Sequence, residues 1–255
     1  MLPTCNTLWI GPRLGRLERA CFRSVLAQGH GLRLWCYDPP EGVPDGIDLA
    51  DAAAILPRER IVAHASGSVA LFANHFRYEL QRRALGLWVD ADVYLVAPLA
   101  GLPETLFGRV AGDEINTAVM RLPPESPILP PLLVLFEERS VPPWLSGRAR
   151  AAARWRLLVT GRSRLDLMPW GSAGPHALTW LARRHGLEDA ALPPTVFYPV
   201  HWRDADWVMD PARSLEEVVT PRTRAVHLWN ERIKALKEAP APAGSFLARL
   251  QAEGA

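Results

Sequence analysis

Cysteine is scarce in this chain. Cys5, Cys21 and Cys36 are three among 255 residues, an odd number with no CxxC pair. That spacing argues against a disulfide framework or a structural zinc site and fits a reducing cytoplasm. A strong charge excess is also missing. The formal net charge is +2, with a pI near 8.6, too mild to point to nucleic acid, so no nucleic-acid partner is expected. Long apolar runs are missing too. The most apolar later stretch, Ile128 to Phe136, is too short to span a bilayer and contains Pro130 and Pro131. Met1 to Gly11 carries no charge and is broken by Pro3 and Asn6, so no signal peptide is expected. Any membrane contact should be peripheral. No internal repeat is visible, and APAPAG near the end is the lone low-complexity tract.

What is present is an ordinary globular composition, 49% hydrophobic and 22% charged, enough for one domain with at most a small appendage. The chain is organised around Phe72 to Leu99. Phe72, Phe76, Leu80, Ala84 and Leu87 recur at helical spacing, with Arg77, Glu79, Arg82 and Arg83 on the other face. After Gly86 comes a nearly continuous β-rich run, Leu87-Trp88-Val89 and Val93-Tyr94-Leu95-Val96, interrupted by Asp90 and Asp92. In an extended backbone, residues two apart point to one side, so these carboxylates should converge. Converging like charges repel unless a cation or proton lies between them, and a divalent metal answers that need. A surface turn between short strands is the competing reading.

Taken in order, Thr7 to Gly11 reads as a strand, Leu14 to Gly29 as a helix and Leu32 to Tyr37 as a strand, a βαβ unit. A parallel sheet follows from it, with ligands beyond the carboxyl ends of its strands, so Gly11, Asp38 and the Asp90 turn should share a rim. Asp48 to Ile55 reads as a short helix, and Ile61 to Ala65 as a strand. Leu106 to Val110 and Ala118 to Leu122 read as strands around a polar segment. Leu132 to Glu138 and Ala177 to His185 read as helices, and Val196 to Val200 and Ala225 to Trp229 as strands. The APAPAG hinge then precedes a small helix from Ser245 to Gln251. Between Arg139 and Arg164 lie seven arginines, Trp144 and Trp155, with no acidic residue. This segment is either a docking face for an anionic acceptor or membrane, or a solvated helix with its tryptophans turned inward.

Several pieces recur in the same order in one group of proteins: Trp9-Ile10-Gly11, an Arg-bearing helix feeding Trp88-Val89-Asp90-Ala91-Asp92-Val93, and Ile115-Asn116-Thr117-Ala118-Val119-Met120. Gly174-Pro175 with Leu178-Thr179, Phe197-Tyr198-Pro199 and His227-Leu228-Trp229-Asn230 follow. In this the chain resembles the DxD-containing sugar transferases, closest to glycosyltransferase family 32 and its capsule and galactosyltransferase-like relatives. The resemblance implies an α/β fold of GT-A type, a Rossmann-like, mostly parallel sheet flanked by helices in a single domain. Residues 1–125 would form the nucleotide-sugar half, 126–238 the acceptor side with the metal-binding histidine, and 239–255 a hinge and terminal helix. It implies a nucleotide-sugar donor, usually a UDP-sugar, a divalent cation, Mn²⁺ or Mg²⁺, and transfer with retention to a carbohydrate or glycolipid acceptor. The setting would be cytoplasmic, with peripheral contact at the inner membrane face through residues 139–164.

The implied ligands of the metal are Asp90, Asp92 and His227. Hard carboxylate oxygens suit Mg²⁺ or Mn²⁺, and an imidazole tilts the choice toward Mn²⁺. A core-packing role competes for His227. Trp9, Ile10 and Gly11 would hold the nucleotide, with Trp9 or Tyr37 near the base; core packing is the competing role for either aromatic. Arg77, Asn74, Asn116, Asp90 and Ala91 would face the donor, and Trp229 and Asn230 would lie beside the diphosphate. Arg77 is otherwise a helix-surface charge paired with Glu79 or Glu104. Asp92 is the main catalytic candidate; Asp113 or Glu114 would position the acceptor or brace the transition state, or else they are surface turn residues. Many relatives have Asp where this chain has Asn74, and Gly-Gly where it has Leu85-Gly86, which touches donor identity more than donor class. Two other functions compete. A HAD-type phosphatase uses an Asp-x-Asp after a strand, but Tyr94 stands where that family places Thr or Val. A catalytically inactive nucleotide-sugar-binding protein would keep the fold without turnover.

Overall fold

Three parallel strands open the chain: β1 (Cys5–Trp9), β2 (Leu32–Cys36) and β3 (Asp48–Asp51), with Cys5 opposite Leu32 and Arg33 opposite Asp48. They belong to a computed structural model that describes residues 2–255. The helix α1 (Arg16–Ala27) connects β1 to β2, completing the expected βαβ unit. Leu17, Cys21 and Val25 recur every fourth residue on its buried side. Next come α2 (Ala70–Arg82), β4 (Leu87–Val89), β5 (Val93–Leu95), β6 (Leu106–Arg109) and β7 (Ile115–Arg121). The remainder runs α3 (Leu129–Val134), α4 (Gly147–Thr160), α5 (Pro175–Arg184), β8 (Ala191–Leu192) and α6 (Pro194–Phe197). It ends with α7 (Leu215–Val218), β9 (Ala225–His227), α8 (Asn230–Ile233) and α9 (Phe246–Glu253).

Seven strands form one sheet in the order β3-β2-β1-β4-β7-β6-β8, in which β7 alone runs against the rest. Both faces are covered. On one, Leu17 and Val25 of α1 pack with Leu87 and Val89 of β4 and with Phe246 and Leu250 of α9. On the other, Phe72, Phe76 and Leu80 of α2 pack with Trp88 of β4, Met120 of β7 and Leu178 of α5. Neighbouring β4 residues therefore point to opposite faces, as a doubly covered strand requires. The edge strand β8 comes from the second half of the chain, so one sheet and a single α/β domain unite the two halves. Chain order reverses at β1, between β2 and β4, the kind of switch point beyond whose carboxyl ends α/β sheets take their ligands.

Four expectations are corrected. Asp48 to Ile55 is β3 followed by a 3₁₀ turn at Ala52–Ala54, not a helix: the open edge of β2 offers hydrogen bonds, and the Arg33–Asp48 ion pair at 2.6 Å aligns them. Ile61 to Ala65 forms no strand, since Ala65 N–H donates to Asp166 O and His64 Nε2 lies 2.9 Å from Met168 O. Val196 to Val200 begins inside α6, which Pro194 starts and Pro199 prevents from continuing. Finally, Val89 and Val93 do not belong to one straight strand, because β5 leaves the sheet and pairs antiparallel with β9 instead.

The tail is part of the core. Phe246 stacks on Trp207 at 5.2 Å and meets Tyr94 edge-on at 5.5 Å, while Ser245 caps α9 through Ala248 N–H. Phe246→Ala is expected to cost about 3–4 kcal/mol, the usual loss for an emptied aromatic site, read as a lower urea midpoint at constant slope. On α2, His75 stacks flat on Phe136 at 4.2 Å. Burial pushes its imidazole down to about 4, with Arg60 adding and Glu79 opposing. The folded state thus favours neutral His75, and its contribution is complete above the unfolded value near 6.5 and lost as pH falls from there toward 4. His75→Phe should remove on the order of 2–3 kcal/mol of this acid sensitivity, measured by denaturation at pH 7 and pH 4.5.

Candidate active site

β4 ends at Val89, and Asp90 enters a tight turn in which its carbonyl accepts from Val93 N–H at 3.1 Å. The two carboxylates converge through this turn and not through strand alternation. Asp90 N–H donates to Ala118 O at 2.7 Å, tying the turn to β7. Its Oδ1 receives Trp88 Nε1–H at 2.6 Å and an Arg77 guanidinium nitrogen at 2.9 Å. Arg77 is itself buried, donates to Thr117 O at 2.6 Å and lies over the Trp88 ring at 4.9 Å. Its helix-surface alternative, pairing with Glu79 or Glu104, does not occur; those two acids take Arg82 and Arg121. Burial drives the Asp90 carboxyl upward, Arg77 opposes it, and the nearby charge of Asp92 adds to the rise.

Asp92 is balanced from the other end of the chain. Antiparallel pairing sets Val93 opposite His227, and Leu228 N–H donates to Asp92 O at 2.9 Å. Asp92 Oδ1 then lies 3.2 Å from His227 Nε2, and Oδ2 accepts from Asn230 N–H at 2.8 Å. Burial acts upward on this carboxyl, yet the His227 charge and hydrogen bond, with the Asn230 amide, hold it at about 2. Trp229 adopts the left-handed backbone at φ 56° and ψ 52°, a strained choice for a bulky residue. Its indole donates to Val200 O at 2.9 Å and its ring meets His227 at 4.1 Å. The strained residue turns the following amide toward Asp92.

The carboxyl end of β1 runs beside this turn, since Asn6 pairs with Trp88. Trp9 is half-buried, and its Nε1–H is enclosed without a partner among the described residues, 3.2 Å from where a side chain on Gly11 would begin. Ile10 packs on the opposite core, beside Tyr37, which donates to Leu56 O at 2.7 Å. Ala91 sits between the carboxylates at the core's margin. Asn74 faces Gly174, where an added Cβ would lie 2.9 Å from its amide nitrogen, so only glycine admits this approach. Asn116 Oδ1 accepts from Ala118 N–H at 2.8 Å, which leaves its NH₂ to serve a ligand.

Other residues fall elsewhere. Asp113 and Glu114 lie in the β6–β7 turn, where Asp113 is exposed 3.9 Å from Arg109 and Glu114 is 3.5 Å from His176; neither joins the cluster. Asp38 is exposed and pairs with Arg58 at 2.8 Å. Three contributors escaped the sequence reading. Trp88 was read only as strand. Tyr198, of the quoted Phe-Tyr-Pro, fits against Gly108 and the His227 ring and accepts from Val119 N–H at 3.3 Å. Glu18 is fully buried on α1, pairs with Lys237 at 2.5 Å and reaches Asn230 at 3.4 Å. A carboxylate beside Leu17 on the apolar stripe with Leu14 and Cys21 was the available signal.

One oxygen or nitrogen from each of Asp90, Asp92 and His227 lies within 4.8 Å of the others. His227 Nδ1 is also enclosed without a partner among the described residues. Two carboxylates and an imidazole at this spacing could hold a metal ion.

Residues 166–251, about a third of the chain, match the model of the family described as "Alpha 1,4-glycosyltransferase conserved region". The matched stretch holds His227, Trp229 and Asn230, which complete the cluster around Asp92. The chain is a glycosyltransferase. No curated protein was found to match the sequence. The sheet of this glycosyltransferase, Rossmann-like and nearly parallel with helices on both faces, is of the GT-A type. Such an enzyme takes a nucleotide-sugar donor and a sugar acceptor, and in sheets of this topology the carboxyl ends of the strands beside the switch point are where ligands gather.

Arg77→Met should cost about 2–3 kcal/mol, below the full penalty for orphaning a buried charge because Asp90 keeps some solvent contact. The double variant Arg77→Met/Asp90→Asn should recover part of it in a urea titration. A merely superficial Arg77 would give neither the loss nor the recovery.

Proposed function

We propose that this glycosyltransferase is metal-dependent, moves a sugar from a UDP-sugar to an acceptor hydroxyl of a carbohydrate or glycolipid, and retains the anomeric configuration. The observation that carries the reading is the convergence of Asp90, Asp92 and His227 at the carboxyl ends of β1 and β4. Bound there, Mn²⁺ or Mg²⁺ would balance the charge that develops on the leaving diphosphate.

The chain's own residues supply the remaining requirements. Arg77 and Trp88 fix one oxygen of Asp90, leaving the other free for a ligand. The Asn230 amide fixes Asp92 Oδ2 and thereby aims Oδ1 at His227. Trp9 and Gly11, at the carboxyl end of β1, would hold the nucleotide, with Ile10 packed behind them on the opposite core, and Trp229 would lie beside the diphosphate. Asn74 and the free NH₂ of Asn116 are suited to the hydroxyls of the donor sugar, and Asn74 can both donate and accept. Front-side transfer lets the leaving phosphate take the acceptor proton, so no protein base is required. Asp113 and Glu114, in an exposed turn, would then act on the acceptor alone. A phosphatase of the Asp-x-Asp kind would leave the glycosyltransferase likeness of residues 166–251 unexplained.

Isothermal titration of UDP with and without Mn²⁺ tests this proposal. Binding should require the metal in the parent. Asp92→Asn keeps an acceptor for the Asn230 amide but removes the charge, so it should weaken metal-dependent binding by about 100-fold or more, with a melting temperature lowered by the loss of the His227 pairing but a protein still folded at the titration temperature. Binding by that variant as tight as the parent's would remove Asp92 from the site.

A further inference from the structure

We propose that α4 docks the protein onto an anionic phospholipid bilayer, lying in the plane of the surface with its outward apolar ridge in the headgroup boundary. The helix is built inside out. Its sole buried residue is Ala153, whereas Trp155 is 64% exposed, Leu158 85% and Val159 60%. At 100° per residue, Trp155, Leu158 and Val159 share the face opposite Ala153, together with the small Ala151 and Ala152. A helix that only covered a core would place these large groups inward. Leu167 and Trp170, also exposed, follow within the next turns of chain.

The ridge is framed by positive charge. Arg154 flanks it on one side and Arg148 stands on the same face at its amino-terminal end, and among the described residues neither forms an ion pair or a side-chain hydrogen bond. No acidic residue occurs from Arg139 to Leu165. Farther along, Arg162 and Arg164 are already balanced by Glu138 and Asp166. An apolar ridge with unpaired guanidinium groups at one flank and one end matches an interface whose headgroups are negative and whose interior is hydrocarbon. A second copy of this chain fits poorly, because a two-fold contact on the ridge would bring Arg148 and Arg154 against their own kind. Fourteen residues rise only about 21 Å, short of the hydrocarbon core, so the helix lies on the membrane and does not cross it.

This inference does not depend on the donor or metal, and the test needs neither. The intact protein is sedimented with phosphatidylcholine vesicles and with vesicles containing phosphatidylglycerol, at low and high salt. Binding should favour the anionic vesicles by about tenfold or more and fall at high salt. Leu158→Ser/Val159→Ser and Arg148→Gln/Arg154→Gln should each weaken it about tenfold, with no fall in melting temperature, since the altered side chains face outward. Equal binding to neutral vesicles, failure to bind the anionic ones, or variants that bind like the parent would each overturn the proposal. So would a parent dimer in sedimentation equilibrium that Leu158→Ser dissociates.

Discussion

The arrangement depends on two carboxylates kept side by side without collapsing into one another's repulsion. Each has its own counterweight from a separate part of the chain. Asp90 is held by Arg77 and Trp88, residues close to it in sequence; Asp92 is held by His227 and Asn230, more than a hundred residues away. Because the compensating groups approach from different sides, they leave the space between the carboxylates open. An Arg placed between the two would have sealed that space.

The backbone makes this division possible. Had β4 continued straight through Asp90, both side chains would have stayed on one face of the main sheet, out of reach of the chain's end. Instead the turn at Asp90 redirects β5 onto β9, and the register that sets Val93 opposite His227 delivers the imidazole and the strained Trp229 together. Glu18, buried on α1 and paired with Lys237, holds the segment after β9 against the first helix. Its placement explains a carboxylate on an otherwise apolar stripe: α1 faces both a core and a polar seam.

Much of this was legible because periodicity reports burial. The βαβ opening, the Arg-bearing α2 and the interruption of a β-rich run by Asp90 and Asp92 were readable for that reason. The failures share a cause as well. Asp48 to Asp51 became a strand because β2 had an open edge, and Val196 fell into a helix because prolines bracket it; neighbours and ring chemistry overruled local preference. The convergence of the carboxylates was foreseen from a straight-strand geometry that the chain does not adopt. His227 was named from a family likeness, whereas Glu18 and Tyr198 act through contacts that no spacing in the sequence announces. Trp155 points outward, against the inward orientation that a solvated helix would give it.

The pairing of β5 with β9 has a bearing on how the protein comes into being. A ribosome reading from the amino end releases the acidic turn long before the strand that brings its imidazole, so a partly made chain carries two poorly balanced charges and an unpaired strand edge. Loop closure over such a separation is slow compared with local helix formation. The Asp90, Asp92 and His227 cluster is therefore among the last parts to be assembled, and chains cut short before β9 would lack it altogether. Completion of the cluster is in this way tied to completeness of synthesis, with no separate device needed to check it.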